Sequence, residues 1–121
     1  MRIYIAGPMA GKKDQNFPAF ESASKRLRDD GHFVINPAEL SVMFGKPETV
    51  AASFKAYYAG AAQSAPDGWS VIAQSVMDAD LAALRSCHAI YMLRGWEQSR
   101  GARKELAEAI AHGLEVMLEA R

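Results

Sequence analysis

The sequence predicts an α/β fold of the Rossmann-like, flavodoxin-like kind: an open parallel sheet with helices on both faces, in one small domain. Three observations carry this expectation. Short apolar runs alternate with helical patterns along the chain. The first two runs, with a helical pattern between them, form a βαβ unit whose crossover requires parallel strands. The length of 121 residues, half of them apolar, suits a single hydrophobic core and no second module.

Residues 2 to 6 are an apolar run stopped by Gly7-Pro8, which reads as a buried strand entering a loop. From Phe17, the positions Phe20, Ala23 and Leu27 recur at helical spacing among Lys25, Arg26 and Arg28, until Asp30-Gly31 ends the pattern. His32 to Ile35, before Asn36-Pro37, is the second strand. Residues 37 to 69 lack a clear period. Val50 to Ala62 has helical character but is flanked by Gly- and Pro-containing stretches, so about 43 to 69 is expected to be a mobile insertion, a candidate lid. A helix then starts near Ser70 with Ala73, Val76, Met77, Leu81 and Leu84 on one stripe. Ala89 to Leu93 is the third strand, a last helix spans about Arg100 to His112, and Leu114 to Leu118 is a final strand. In such sheets ligands bind beyond the carboxyl ends of the strands, which directs attention to the loops after residues 6, 36 and 93.

Acidic and basic residues balance at 14 each, which argues against a polymeric nucleic-acid partner. The only cysteine, Cys87, excludes an internal disulfide and a Cys-based zinc knuckle, and fits a reducing compartment. The start, Met1-Arg2-Ile3-Tyr4-Ile5-Ala6, is too short an apolar run for a secretory leader, and no run approaches the roughly 20 residues of a membrane span. The expectation is a cytoplasmic protein without a membrane partner. His32, His88 and His112 show no ligand spacing, and no metal is implied.

The loop after the first strand, Gly7 to Lys12, has glycines that allow close backbone approach to an anion, although it is not a GxxxxGK[ST] phosphate loop; a simple chain turn is the alternative. Ser99 can cap the last helix, with Gly101 at its second position, and the positive end of the dipole there favours phosphate or carboxylate. Glu105 lies one turn above Gly101 on the same face, where the missing side chain leaves room for a ligand; a surface ion pair is the plainer fate of such a glutamate. Asp80 falls near the centre of the apolar stripe of its helix, whereas Asp78 points the opposite way. A carboxylate so placed is costly unless hydrogen-bonded or functional, and a buried Asp capping a neighbouring loop is its structural alternative. Two carboxylates near the carboxyl ends of adjacent strands suit glycoside chemistry, one attacking the anomeric carbon and the other assisting leaving-group departure or orienting its partner. Trp69 and Trp96 are candidates for stacking on a base or for core packing.

The opening Tyr4-Ile5-Ala6-Gly7-Pro8-Met9, the runs Asn16 to Phe20 and Asn36 to Glu39, and above all Gly95 to Ala102 with Glu105 resemble the DUF4406 family of bacterial and phage proteins. That family is similar in turn to the nucleoside 2-deoxyribosyltransferases and the 2'-deoxynucleoside 5'-phosphate N-hydrolases. The resemblance makes residues 1–121 one deoxyribosyltransferase-like domain and implies an enzyme that cleaves an N-glycosidic bond, by hydrolysis or deoxyribosyl transfer, without a cofactor. In it Glu105 is the nucleophile toward C1' and Asp80 positions the sugar or protonates the base. Ser99 and Gly101 sit where the 5'-phosphate is held, Tyr4 and Gly7 border the sugar, and Pro8 and Met9 are further substrate-binding residues. A small nucleotide or nucleoside is the implied partner, and a homodimer or larger homo-oligomer the implied assembly. His88, Arg100 and Lys104 depart from the related pattern. Two rivals to the enzyme are a non-catalytic nucleotide-binding or sequestering protein and an interaction protein reusing the fold.

Overall fold

The structure is a computed structural model that describes residues 1–9, 12–41, 45, 50, 52–53 and 69–120. Its described elements are β1 (Arg2–Ala6), α1 (Phe17–Asp29), β2 (Phe33–Ile35), α2 (Pro37–Ser41), α3 (Trp69–Arg85), β3 (Ala89–Met92), α4 (Arg100–Ala111) and β4 (Glu115–Leu118). The four strands form one parallel sheet in the order β2-β1-β3-β4. Tyr4 stands beside Ile35 on one side and Ile90 on the other. Most of the proposed insertion at 43–69 lies outside the described residues, as does most of the helical stretch expected from Val50 to Ala62.

The period-two pleat of β1 divides the core. Ile3 and Ile5 face the layer formed by Phe20, Ala23 and Leu27 of α1 with Ala38 of α2. Tyr4 and Ala6 face the opposite layer, with Leu84 of α3 and Ala102 and Ala109 of α4. Ile3, Tyr4, Ile5 and Ala6 are all fully buried, so the strand reads as one continuous apolar run rather than an alternating one. The helices follow from handedness. Crossovers are right-handed, and the chain moves to opposite sides of β1 in reaching β2 and β3, so α1 and the α3/α4 pair must lie on opposite faces.

The short helix α2 was not foreseen, yet its start signal is in the sequence. Asn36 accepts from the Ala38 N–H through Oδ1 at 3.0 Å, Pro37 occupies the first helical position, where its missing N–H costs nothing, and Glu39 follows in the first turn. His88 also finds a role in strand entry. Its Nδ1 accepts from the Arg2 N–H at 2.9 Å and its own N–H donates to the Arg2 carbonyl at 2.8 Å, clamping β1 to β3 at their amino ends, away from the loops expected to bind ligand. Among the described residues no helix is long and apolar enough to cross a membrane.

Gly7 is required by space. A Cβ there would lie 2.7 Å from Leu93 Cβ, and both atoms belong to segments fixed by the Leu93 N–H to Ala6 carbonyl bond of 2.8 Å. Gly7→Ala is therefore expected to lower stability by roughly 1–3 kcal/mol, the usual cost of overpacking, in a urea unfolding titration; an unchanged midpoint would show that the two loops separate freely.

Candidate active site

The carboxyl ends of β1 and β3 part where the chain reverses direction across the sheet, and a pocket opens there. Gly7, Met9, Gln15 and Phe17 line it from the β1–α1 connection, Pro37 and Ser41 from α2, and Val50 from beyond it. Val76, Met77, Asp80 and Leu81 of α3 form another wall, and Ser99, Gly101, Ala102, Lys104 and Glu105 close it from α4. The surface of this lining is mostly apolar, so the two carboxyls stand out against it.

Glu105 is anchored from below. Tyr4, fully buried on β1, donates its hydroxyl to Glu105 Oε2 across 101 positions of sequence. Burial raises the Tyr4 hydroxyl well above its ordinary pKa, and the nearby charges of Glu105 and Asp80 raise it further, so it remains a proton donor. Burial also pushes Glu105 up to about 7, opposed by the Tyr4 donation. Asp80 is pushed up to about 8, first by burial and then by the charge on Glu105, and its Oδ1 is shielded from solvent with no hydrogen-bond partner among the described residues. Of the two conditions that make such a carboxylate tolerable, hydrogen bonding is not met at this oxygen: the surrounding side chains of α3 are apolar, and among the described residues no donor reaches it. The two carboxyls titrate as a pair, and the donated hydrogen bond favours the charge on Glu105 and the proton on Asp80.

Ser99 caps α4, its Oγ accepting from the Ala102 N–H at 3.1 Å, as expected of a serine before a helix. Gly95, at φ +88°, makes the turn that starts the 3-10 segment Trp96–Gln98 leading to that cap. Pro8 is buried and does not face the pocket; its carbonyl accepts from Asn16 Nδ2 at 2.8 Å. Tyr4 likewise acts behind the pocket surface, through Glu105. Trp96 packs into the α3/α4 layer instead of flanking the pocket, and the Trp69 side chain lies outside the described residues. Among the described residues no three His, Cys, Asp or Glu side chains gather as a metal site.

Sequence reasoning missed Gln15, Phe17, Pro37 and Ser41 as pocket residues and, on the α3 wall, Val76, Met77 and Leu81, but not Asp80. It also missed the backbone that presents Gln15. Asp14, Gln15 and Asn16 take φ of 51°, 55° and 60°, a left-handed run that costs L-residues roughly 1 kcal/mol or more each. Asp14 and Asn16, residue types enriched in this conformation, were the signals for it; Gln15 between them carried none.

The model of a family described as "Domain of unknown function (DUF4406)" matches residues 1–64 and 61–118. A solved structure of a 2-deoxyribosyltransferase from the psychrotolerant bacterium Bacillus psychrosaccharolyticus is similar over 98% of this chain and 71% of that one, with a TM-score of 0.66 and 21% identity. The likeness establishes the fold, including the open parallel sheet. No curated protein matches the chain.

The raised carboxyls make stability depend on pH. In the unfolded chain both ionise near pH 4, whereas in the folded protein they resist ionisation until about 7 and 8, so folding is favoured below pH 4 and this contribution is lost as pH rises through 8. Asp80→Asn is expected to be more stable than the parent by roughly 1–2 kcal/mol at pH 8, with the difference shrinking toward pH 5. Thermal melts across that range provide the check; a constant difference would deny that Asp80 ionises at cost.

Proposed function

The chain belongs to the DUF4406 family, and on that premise we propose that it cleaves the N-glycosidic bond of a nucleoside 5'-monophosphate or related nucleotide, by hydrolysis or deoxyribosyl transfer, through a glycosyl–Glu105 intermediate. The observation that carries this reading is the pair of carboxyls with opposite proton demands in one pocket: Glu105 takes a hydrogen bond from Tyr4, and Asp80 has a shielded, unpartnered oxygen. The activity named for the structurally similar 2-deoxyribosyltransferase is of the same class.

In this mechanism the Glu105 carboxylate attacks C1' as the C1'–N bond breaks. The electron pair of that bond passes to the base, which takes the Asp80 proton. Water or an acceptor base then attacks C1' of the ester, its proton goes to the Asp80 carboxylate, and Glu105 is released as a carboxylate. The apolar walls strengthen every charge interaction in the pocket by excluding water. The amino end of α4, beside Ser99 and Gly101, is where we place the 5'-phosphate, since the helix dipole favours an anion there. The buried free thiol Cys87 accords with a cytoplasmic setting.

Glu105→Gln preserves shape and removes the nucleophile, so nucleotide binding should survive while base release falls at least a few hundredfold. A 2'-fluoro nucleotide should leave a sugar adduct on the Glu105 peptide in mass spectrometry. Base release near the parental rate in the Gln variant would end the nucleophile assignment. We also propose that the protein works as a homodimer or larger homo-oligomer. Ile110, Val116 and Leu118 are exposed by 62%, 41% and 64%, the latter two on edge strand β4, an arrangement that partners commonly cover. Sedimentation equilibrium should show an assembly that Leu118→Asp dissociates; a parent that stays monomeric at every concentration would refute it.

A further inference from the structure

The carboxyl pair and the amino end of α4 account for the sugar and phosphate ends of the proposed substrate, which leaves the base without a reader. A nucleotide whose C1' meets Glu105 and whose phosphate lies by Ser99 must direct its base away from α4, toward the walls supplied by the β1–α1 connection, α2 and α3. Phe17, Pro37, Val76 and Met77 on those walls offer apolar contact to the faces of a base but cannot tell one base from another. Discrimination needs hydrogen bonds to base edges, because a site built to pair with a polar group rejects an analogue that leaves its own groups unpaired.

The uncharged polar side chains of the described lining are Gln15, Ser41 and Ser99. Ser41 donates to the Ala38 carbonyl at 3.1 Å and Ser99 accepts from the Ala102 N–H, so both are engaged in their own helices. The Gln15 side chain is half-buried and has no hydrogen-bond partner among the described residues. Its position is held firmly for a loop residue. The Gln15 N–H donates to the Lys12 carbonyl at 3.2 Å, the Lys12 N–H to the Met9 carbonyl at 3.2 Å, and the next residue, Asn16, is tied to Pro8. The left-handed backbone at 14–16 is thus maintained around a glutamine whose side chain bonds to nothing among the described residues.

We infer that Gln15 reads the hydrogen-bonding edge of the base, its amide offering one acceptor and two donors to a leaving group seated between Phe17 and the α3 wall. This makes it a specificity-determining residue, and it rests on the glycosidic reading given above. A primary amide can pair with any base that presents a donor beside an acceptor, so the inference concerns discrimination and binding, with Glu105 and Asp80 supplying the chemistry.

Gln15→Gly is the informative variant, because glycine accepts a φ of +55° without penalty and removes the amide without removing the fold; Gln15→Asn keeps an amide on a shorter stem in a residue tolerant of the same backbone. Rates of base release from the 5'-monophosphates of deoxyadenosine, deoxyguanosine, deoxycytidine and thymidine are compared with release of 3,5-dichlorophenol from its deoxyriboside 5'-phosphate, a leaving group lacking a base edge. Gln15→Gly is expected to lower kcat/KM for the favoured base at least tenfold, to bring the four bases together, and to leave the aryl substrate within twofold. Gln15→Asn should fall between. Unchanged base ratios, or an equal fall for aryl and base substrates, would overturn the inference. Calorimetric titration with the free bases separates the two levels of argument. A parent that cleaves nothing defeats the proposed function, yet Gln15 still stands if the parent binds a free base and Gln15→Gly does not, and it falls if both bind alike or neither binds.

Discussion

The parallel pairing of β1 with β3 is the constraint from which the rest of the molecule follows. Two strands that are parallel and adjacent, yet separated by more than eighty residues, oblige the intervening chain to cross over both faces of the sheet. With right-handed crossovers, α1 falls on one face and α3 with α4 on the other. The loops leaving β1 and β3 then diverge, since they lead to helices on opposite faces. The pocket is the gap between them, and it exists because the two central strands point the same way and their continuations do not.

That same pairing puts Tyr4 under Glu105. Tyr4 is on the α3/α4 side of β1, between Ile35 and Ile90, so its ring is core while its hydroxyl emerges at the base of α4. A phenol in this position is both a packing unit and a rigid donor. Its partner is a glutamate whose ionisation the surroundings resist, and the neighbouring Asp80 is resisted more strongly because it receives no such donation. The asymmetry between two chemically similar groups comes from the hydrogen bond that favours charge on Glu105 and from the effect of that charge on Asp80. Such a site is costly to the fold near neutral pH, a cost commonly tolerated at sites that carry chemistry and seldom elsewhere.

Backbone conformation makes a second contribution, visible on both loops that rim the pocket. Gly95 supplies a positive φ where a Cβ would come to 3.4 Å from Pro8, and this turn sets the direction in which the chain approaches the Ser99 cap. On the other side, three non-glycine residues adopt left-handed angles before α1. Asn16 is compensated by its bond to the Pro8 carbonyl, so Pro8 joins the two loops: its ring packs beneath Gly95 and its carbonyl holds Asn16. Pro8, a residue expected to bind substrate, in this way braces the segments that shape the pocket.

The sequence by itself determined the layers, the parallel sense and, for every described strand and helix except α2, the bounds to within a residue or two, because those follow from local periodicity and from the crossover rule. It also singled out Asp80, whose place in an apolar stripe is a local anomaly that needs no tertiary information to notice. Ser99 was legible for the same reason, as a cap immediately before a helix. What only the tertiary structure decided are relations between distant residues: that Tyr4 serves Glu105 from behind the pocket, that Asp80 Oδ1 finds no donor among the described residues, that Gly7 is glycine because of Leu93, and that Pro8 is a brace. Gln15 belongs with these. No periodicity marks a left-handed turn made of ordinary residues, and its meaning arises only when the sheet, two helices and a loop converge on one cavity.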